Sequence, residues 1–359
     1  MALGSTLIHV TESLGLGGAE IIFVDYINAL PTKFTNIVVY LRPQHTLLSN
    51  LHHVKEVICL NYVNKYDIAR CAIMLHRIIQ TYNADLVHSH LYWPTIIARL
   101  AMSGKVPLLF SVHSLITHDA FNPNILSKYL EKITYSAKQT AVFVSQAAYN
   151  DYTQHIAVPG EANILYNFVG NQFFNEAVDK RSFADTGLKL VAVGNLRPQK
   201  GHLFLLKCLR QLRKYAITLD IYGEGHQREE LENYIREYEI TNVRLLGSEA
   251  HLEKVLPTYD VFVLASRYEG FCIAMAEAMA IGLPCLVPNL EVLQEVSGER
   301  QLYFEQDNEA DFLKKIQLLY HEKSLLTPYA DAAREVAAKY RKETHIQQLV
   351  AVYEKALKQ

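Results

Sequence analysis

The sequence predicts an α/β chain made of two doubly wound parallel sheets, and three observations carry that prediction. Short β-branched and apolar runs alternate with longer amphipathic segments, the pattern of strand–helix–strand units. The alternation runs through twice, with a polar stretch of little periodicity, 167–187, between the two series. At 359 residues the chain exceeds one ordinary core and suits two domains of roughly 150 to 180 residues each.

In the first series the strands are expected at Thr6–Val10, Asn36–Tyr40, Val57–Leu60, Leu86–His88, Leu108–Val112, Ala141–Val144 and Asn163–Leu165. Helices lie between them, notably Glu20–Leu30, Ile68–Tyr82 and Leu126–Ser136. The second series has strands at Lys189–Val193, Thr218–Tyr222, Val243–Leu246, Val261–Leu264 and Cys285–Val287, again separated by helices. The expected domains are 1–166 and 188–341, joined by a hinge at 167–187 and followed by a terminal helix within 342–359.

Composition narrows the function classes. Half the residues are hydrophobic, 20% are charged and the net charge is −2, which fits a globular enzyme and argues against a general nucleic-acid binder. Five cysteines form no CxxC pair and no zinc spacing, so a reduced cytoplasm is the simplest setting. Met1–Val10 reads as a first strand and not as a signal peptide, and no apolar run approaches the roughly 20 residues that span a bilayer. Membrane association would have to be peripheral, at the inner face. The helix Ser127–Lys138, with Lys128, Lys132 and Lys138 beside Tyr129, Leu130 and Ile133, offers a mildly basic amphipathic surface for that, or simply a solvated face.

The most informative stretch is Ser266–Pro284. Glu277 is the only formally charged residue between Phe271 and Leu286. A lone acid among Ala, Met and Ile is costly to bury unpaired. Ile273–Ile281 is a run of good helix formers stopped by Gly282 and Pro284, and on it Glu277 is expected to share a face with apolar residues that pack inward. Glu269 sits just before the helix, where the N–H groups of Gly270 to Ile273 at the helix start are expected to make, with it, a site with both acceptors and donors. The alternative is a helix-dipole acid plus one satisfied core Glu.

Three other places carry chemistry. Leu14–Glu20 is a glycine-rich turn opening a helix, suited to a phosphate or simply to a tight turn, and it lacks the full dinucleotide spacing. Gly194–Gly201 is a loop with two cations, Arg197 and Lys200, fitted to neutralise a diphosphate or to sit solvated. His113 follows an apolar strand at the end where open α/β sheets bind ligands. His88 and His90 make a His-x-His pair that could mark a metal site, but no third His stands at ligand spacing in sequence, so no metal is expected.

Glu269-Gly-Phe-x5-Glu277-Ala-Met-Ala-x-Gly282-x-Pro284 resembles the signature of the retaining family-4 glycosyltransferases, which have two Rossmann-like domains facing across a cleft, the GT-B architecture. The resemblance runs along nearly the whole chain. It implies that Glu277 holds the donor's ribose hydroxyls and that Glu269, with Gly270 and Phe271, positions the sugar. It places Gly194, Lys200 and Arg197 on the diphosphate, facing Gly17 and Gly18, and His113 on the sugar. The family's base-recognising loop corresponds to Gly247 and Ser248. Two departures stand out: Cys272 replaces a usual Gly in the sugar pocket, and Asn195 stands where the family has Arg, with Arg197 two residues on. Tyr166-Asn167 matches the interdomain segment only in part, and Tyr222–Gly225 is read as a tight turn.

The function implied is retaining transfer of a sugar from a nucleotide diphosphate sugar, UDP-sugar before GDP-sugar, to a glycan, lipid-linked or small-molecule acceptor, in cell-surface polysaccharide synthesis. No cofactor is implied, since no Asp-x-Asp metal motif appears. The rivals are an epimerase or hydrolase on the same fold, and a non-catalytic nucleotide-sugar-binding protein.

Overall fold

A computed structural model describes residues 4–15, 17–121, 125–174 and 187–358. The chain divides into two compact units, one of residues 1–167 with 342–359 and one of residues 168–341.

The first unit runs β1 (Thr6–Thr11), α1 (Gly18–Ala29), β2 (Thr35–Tyr40), β3 (Val54–Cys59), α2 (Ile68–Thr81), β4 (Leu86–His90), α3 (Tyr92–Ala101), β5 (Leu108–Val112), α4 (Ile125–Thr134), β6 (Gln139–Phe143), α5 (Gln146–Thr153) and β7 (Ala162–Ile164). Its seven strands are all parallel, in the order β3-β2-β1-β4-β5-β6-β7. Helices cover the sheet, so β4 is buried at every position and β1 at all but its first. Between α3 and α4 lies an ion pair, Arg99 to Glu131 at 2.8 Å, both side chains almost fully buried, with the guanidinium over the rings of Phe110 and Tyr135. Tyr152 donates to the same carboxylate.

The second unit runs β8 (Leu188–Val193), α6 (His202–Gln211), β9 (Ile217–Tyr222), α7 (Arg228–Glu237), β10 (Val243–Gly247), α8 (Leu252–Val255), β11 (Val261–Val263), α9 (Ile273–Ile281), β12 (Cys285–Pro288), α10 (Glu291–Ser297), β13 (Leu302–Phe304), α11 (Glu309–His321) and α12 (Leu326–Ala337). Six parallel strands follow the order β10-β9-β8-β11-β12-β13. A core of Leu205, Leu209, Leu219, Val263, Leu286, Phe312 and Ile316 fills the space between sheet and helices. Strand β13 is a sixth strand absent from the sequence-based series; its three residues carry too little periodicity to signal it.

The last helix, α13 (Lys342–Ala356), belongs to the first unit, where Tyr353 is fully buried and His345 Nδ1 donates to the Tyr166 carbonyl at 2.8 Å. Of the segment 167–187, residues 175–186 lie outside the described residues. Phe168 and Val169 are buried in the second unit, where the Val169 N–H donates to the Tyr340 carbonyl at 2.8 Å.

Candidate functional site

Each sheet changes winding direction at one place, and open α/β sheets hold ligands in the crevice beyond the strand ends there. In the second unit that place is between β8 and β11, because β8 leads to β9 on one side and β11 leads to β12 on the other. The loops leaving these two strands carry Lys200 and Glu269, and the fold clasps them together. Arg267 N–H donates to the Gln199 carbonyl at 2.7 Å, the Tyr268 hydroxyl reaches Gln199 Oε1 at 3.2 Å, and Lys200 Nζ lies 2.6 Å from Glu269 Oε1.

Glu269 is buried, and its Oε1 also accepts from the buried Ser266 hydroxyl at 2.7 Å. Oε1 therefore receives two donors, while no hydrogen bond to Oε2 is present among the described residues. Burial alone would favour loss of the Lys200 proton, but the Glu269 carboxylate outweighs it and holds the lysine pKa above its ordinary value. Lys200 is thus a fixed cation with its counter-ion in place. Arg197 is exposed and opposes the Lys200 charge electrostatically. Behind this loop His202 is buried in the first turn of α6, its Nε2 3.3 Å from the Asn195 carbonyl.

The residues between Glu269 and α9 have distinct tasks. Phe271 is buried with its ring edge-on to Tyr340 at 5.1 Å, so it contributes backbone and packing, not an exposed ring. Cys272 caps α9 in the left-handed region, φ +70°, a conformation natural to glycine and costly for other residues. Its thiol is buried, which pushes its pKa up. At the other end Gly282, φ +81°, closes the helix by donating to the Ala278 and Met279 carbonyls, as the Gly-x-Pro ending predicts.

Glu277 corrects one expectation. Met275, Ala276, Ala278, Met279, Ala280 and Ile281 are buried, so Glu277 shares its face with buried Ala280 and Ile281 one turn on but with only half-buried Ile273 and Ala274 one turn back, and is itself half-buried. With nine residues of almost uniform apolarity the sequence had no polar face against which to orient the acid. The partly open face lessens the penalty of burying a carboxylate and leaves Glu277 on the helix that follows the Glu269 corner.

The neighbouring strand ends nest closely. A Cβ at Gly223 would lie 2.0 Å from the Gly194 carbonyl oxygen, and one at Gly225 2.4 Å from that of Leu196. Tyr222–Gly225 is therefore a tight turn that packs against the Gly194–Gly201 loop. Gly247, φ +79°, ends β10 and accepts from the Gly223 N–H at 2.8 Å; Ser248 beyond it is exposed. Gly194, Lys200, Gly247, Glu269, Gly270, Phe271 and Cys272 thus all belong to the loops at the same end of this sheet.

In the first unit the winding changes between β1 and β4. The turn after β1 leads to Gly17, the extended N-cap of α1, and Gly18, its first residue; Leu16 lies outside the described residues. The Glu20 carboxylate folds back over this turn, accepting from the Ser13 hydroxyl at 3.3 Å and sitting 2.3 Å from where a Gly17 Cβ would be. The helix N-terminus is therefore already faced by a negative charge of its own first turn.

His113, half-buried just after β5, joins a cluster of the buried histidines His9, His88 and His90 that sequence order did not reveal. His90 Nδ1 is 3.0 Å from His113 Nε2, His90 Nε2 is 2.7 Å from the Tyr26 hydroxyl, and that hydroxyl is 3.1 Å from His9 Nδ1. His88 bonds the Tyr353 hydroxyl and Ser111. Burial holds His9 and His113 down at about 4 and His88 and His90 well below the usual histidine value, so the cluster is neutral at pH 7. The alternation of histidines in β4 and the lone His9 in β1 were the available signal, since adjacent parallel strands place His9 beside His88 in register.

The missing third histidine of the metal reading is also present: ligand atoms of His9, His88 and His90 lie within 4.8 Å of one another. All six of their ring nitrogens, however, are engaged by Tyr26, Asn36, Tyr353, Ser111 and His113. Three of these bonds would have to break for a metal to enter, and the donor set fits a hydrogen-bonded core better than a metal centre.

Comparison with known proteins places this geometry in a family. The profile described as Glycosyltransferase Family 4 matches residues 16–172, and that described as Glycosyl transferases group 1 matches residues 173–336. The UDP-Gal:alpha-D-GlcNAc-diphosphoundecaprenol alpha-1,3-galactosyltransferase of Escherichia coli is 26% identical over 239 residues, 61% of this chain and 61% of its own length. An N-acetylgalactosamine-N,N'-diacetylbacillosaminyl-diphospho-undecaprenol 4-alpha-N-acetylgalactosaminyltransferase of Campylobacter jejuni is 25% identical over 232 residues, again 61% of each. The chain thus spans less than two thirds of the length of these relatives. The crystal structure of Anabaena HepE in complex with UDP and glucose superposes with a TM-score of 0.79 at 16% identity, over 97% of this chain and 99% of that one, a likeness of fold. With both profiles running without a gap from residue 16 to residue 336, the chain belongs to the family-4/group 1 glycosyltransferases of GT-B fold.

Proposed function

We propose that this chain transfers a sugar from a nucleotide diphosphate sugar, UDP-sugar before GDP-sugar, with retention of anomeric configuration. The observation that carries the proposal is the Lys200–Glu269–Ser266 cluster at the winding change of the second unit. Lys200, a cation held beside its counter-ion, stabilises the departing diphosphate, where most charge develops, and Arg197 adds to the field. Glu269 takes a sugar hydroxyl at Oε2 and its carboxylate steadies positive charge at the anomeric carbon, while the Gly270 and Phe271 backbone helps to position the sugar. Glu277 holds the ribose, and Gly247 and Ser248 stand at the base-recognising loop. In the same reaction His113 serves the sugar, and Gly17 and Gly18 the diphosphate, as the family pattern assigns them. The leaving phosphate oxygen accepts the acceptor's proton, so no dedicated protein base and no metal are needed.

The acceptor proposed is a glycan or lipid-linked saccharide in polysaccharide synthesis, supported by relatives whose names specify diphosphoundecaprenol substrates. No helix among the described residues is long and apolar enough to cross a membrane. Peripheral contact is supported by α4, on which Ile125, Tyr129 and Ile133 recur every fourth residue at 86%, 59% and 58% exposure, flanked by Leu126. The only acid of the helix, Glu131, is turned inward on Arg99, so its exposed charge is lysine and suits anionic lipid. Sedimentation with phosphatidylglycerol vesicles, lost in Ile125→Ser/Ile133→Ser, tests the contact; equal sedimentation of both proteins refutes it.

Proton NMR of the product linkage tests the reaction itself. Retention of the donor's anomeric coupling is expected, and inversion would sink the mechanism. A thermal-shift panel of nucleotide sugars identifies the donor, since a ligand bound by the native state raises its stability. An epimer formed without any acceptor would instead assign the site to an epimerase.

A further inference from the structure

The hydrogen bonds through the histidines of the first unit have a direction. Asn36 Oδ1 faces His9 Nε2 at 3.1 Å, and a carboxamide oxygen only accepts, so the single proton of neutral His9 sits on Nε2. His9 Nδ1 is then a lone pair, and the Tyr26 hydroxyl at 3.1 Å donates to it. With its proton committed there, the Tyr26 oxygen accepts from His90 Nε2–H at 2.7 Å. Tyr353 also lies close enough to influence Tyr26, but the hydrogen bonds of the Tyr26 hydroxyl are those to His9 and His90, and the Tyr353 hydroxyl bonds His88 instead. His90 Nδ1 becomes the acceptor, and His113 Nε2, 3.0 Å away, donates. What remains is His113 Nδ1, without a proton, buried and without a hydrogen-bond partner among the described residues.

We infer that Asn36, His9, Tyr26 and His90 form a directional hydrogen-bond wire that fixes His113 as its Nε2–H tautomer and presents Nδ1 as a buried acceptor for one hydroxyl or N–H group of a ligand. Buried nitrogens of this kind are ordinarily paired, and one left open is paired when a donor arrives. The acceptor is selective by sign. A carbonyl, ether or phosphate oxygen would meet a lone pair, whereas a hydroxyl would gain a bond, and sites built this way reject analogues lacking the donor strongly. His113 borders two small cavities of about 30 and 20 Å³, each near the space of one water position, so each has room for a hydroxyl. Tyr26, His9, His90 and Asn36 are positioning residues in this scheme: they act on a ligand only through His113.

The link to a sugar hydroxyl rests on the glycosyltransferase reading, but the wire does not, and its test needs neither substrate nor turnover. Long-range proton–nitrogen correlation spectra of the full-length, histidine-¹⁵N-labelled protein at pH 7 read the tautomer of each ring directly. The expected result is an unprotonated Nδ1 and a protonated Nε2 at His113, with the same pattern at His9 and His90. A protonated His113 Nδ1 would overturn the inference, because it means that the chain runs the other way from a reversed Asn36 amide. Tyr26→Phe cuts the wire at its centre and Asn36→Leu removes its anchor at the far end from His113, so in either folded variant the His113 Nδ1 signal should move toward the average of the two tautomers. An unshifted His113 signal in both variants would show that the wire does not set the tautomer. Should neither variant fold, the spectrum of the unmodified protein still decides.

Discussion

A Cβ placed on Gly201 would lie 2.0 Å from the carbonyl oxygen of Ala265, so the loop after β8 and the loop after β11 touch backbone to backbone. Gly201 is also left-handed, φ +67°. Gly201→Ala should therefore cost at least about 2 kcal/mol, the left-handed penalty plus the displacement of a backbone that cannot rotate away. Gly194→Ala, whose new Cβ would meet only the Lys200 side chain, at 3.6 Å or more, should stay within about 1 kcal/mol. Urea unfolding of the two variants checks this; equal midpoints would mean that the close approach carries no strain.

Severing the Lys200–Glu269 pair has two separable effects. Lys200→Met strands a buried carboxylate and should destabilise by about 1 to 3 kcal/mol, less than a fully buried pair because a fifth of the Lys200 side chain is exposed. Glu269→Gln keeps an oxygen for Ser266 and Lys200, so the fold should survive. Its kcat should nevertheless fall by roughly 10² to 10³ with little change in donor affinity, because the charge acts on the transition state. A parallel loss in donor binding, seen by calorimetry, would move Glu269 from catalysis to ground-state binding.

Cys272 balances two terms. Its left-handed backbone costs about 1 to 2 kcal/mol, and its buried side chain returns a comparable amount through packing. Cys272→Gly should therefore be nearly neutral in thermal denaturation, whereas Cys272→Ala, which keeps the strain and loses the sulfur, should be the less stable of the two. The reverse order would mean that the φ angle carries no penalty here.

Acid should unfold this protein through its histidines. Burial lowers His9, His113, His345 and His202 from 6.5 to about 4. Between those values the unfolded chain binds protons that the folded chain refuses, so stability rises with pH across that window. The full contribution is present above about pH 6.5 and is lost as pH falls toward 4, by about 1.4 kcal/mol per pH unit for each such group. His9→Phe should flatten this slope in urea titrations; a slope unchanged from pH 6.5 to 4 would count against neutral burial.

Turnover should persist in excess EDTA, since Lys200 and the helix N-termini stand at the proposed diphosphate position. Activity abolished by EDTA and restored by Mg²⁺ or Mn²⁺ would contradict that assignment.

Strand and helix positions were legible because the period changes cleanly: Leu108–Val112 and Ile273–Ile281 coincide with β5 and α9 to the residue. The positions of these loops were legible for a different reason, namely that Gly, Pro and charged residues punctuate Gly194–Gly201 and Glu269–Pro284. What remained hidden depends on register across the sheet. His9, Tyr26, His88, His90 and Tyr353 come from β1, α1, β4 and α13, and nothing local to any of them indicates that they share one hydrogen-bonded core. Glu277 was misoriented for the opposite reason, because an all-apolar helix gives no preferred face.

Helix α13 imposes an order of events on synthesis. The His88 Nδ1 partner, the Tyr353 hydroxyl at 2.7 Å, lies 265 positions downstream. The first unit cannot complete its own interior until residues 342–359 have been made, whereas residues 168–341 form an uninterrupted unit that can close earlier. Until then His88 of the nascent first sheet lacks the partner of its Nδ1, while His9 and His90 already have theirs in Asn36, Tyr26 and His113.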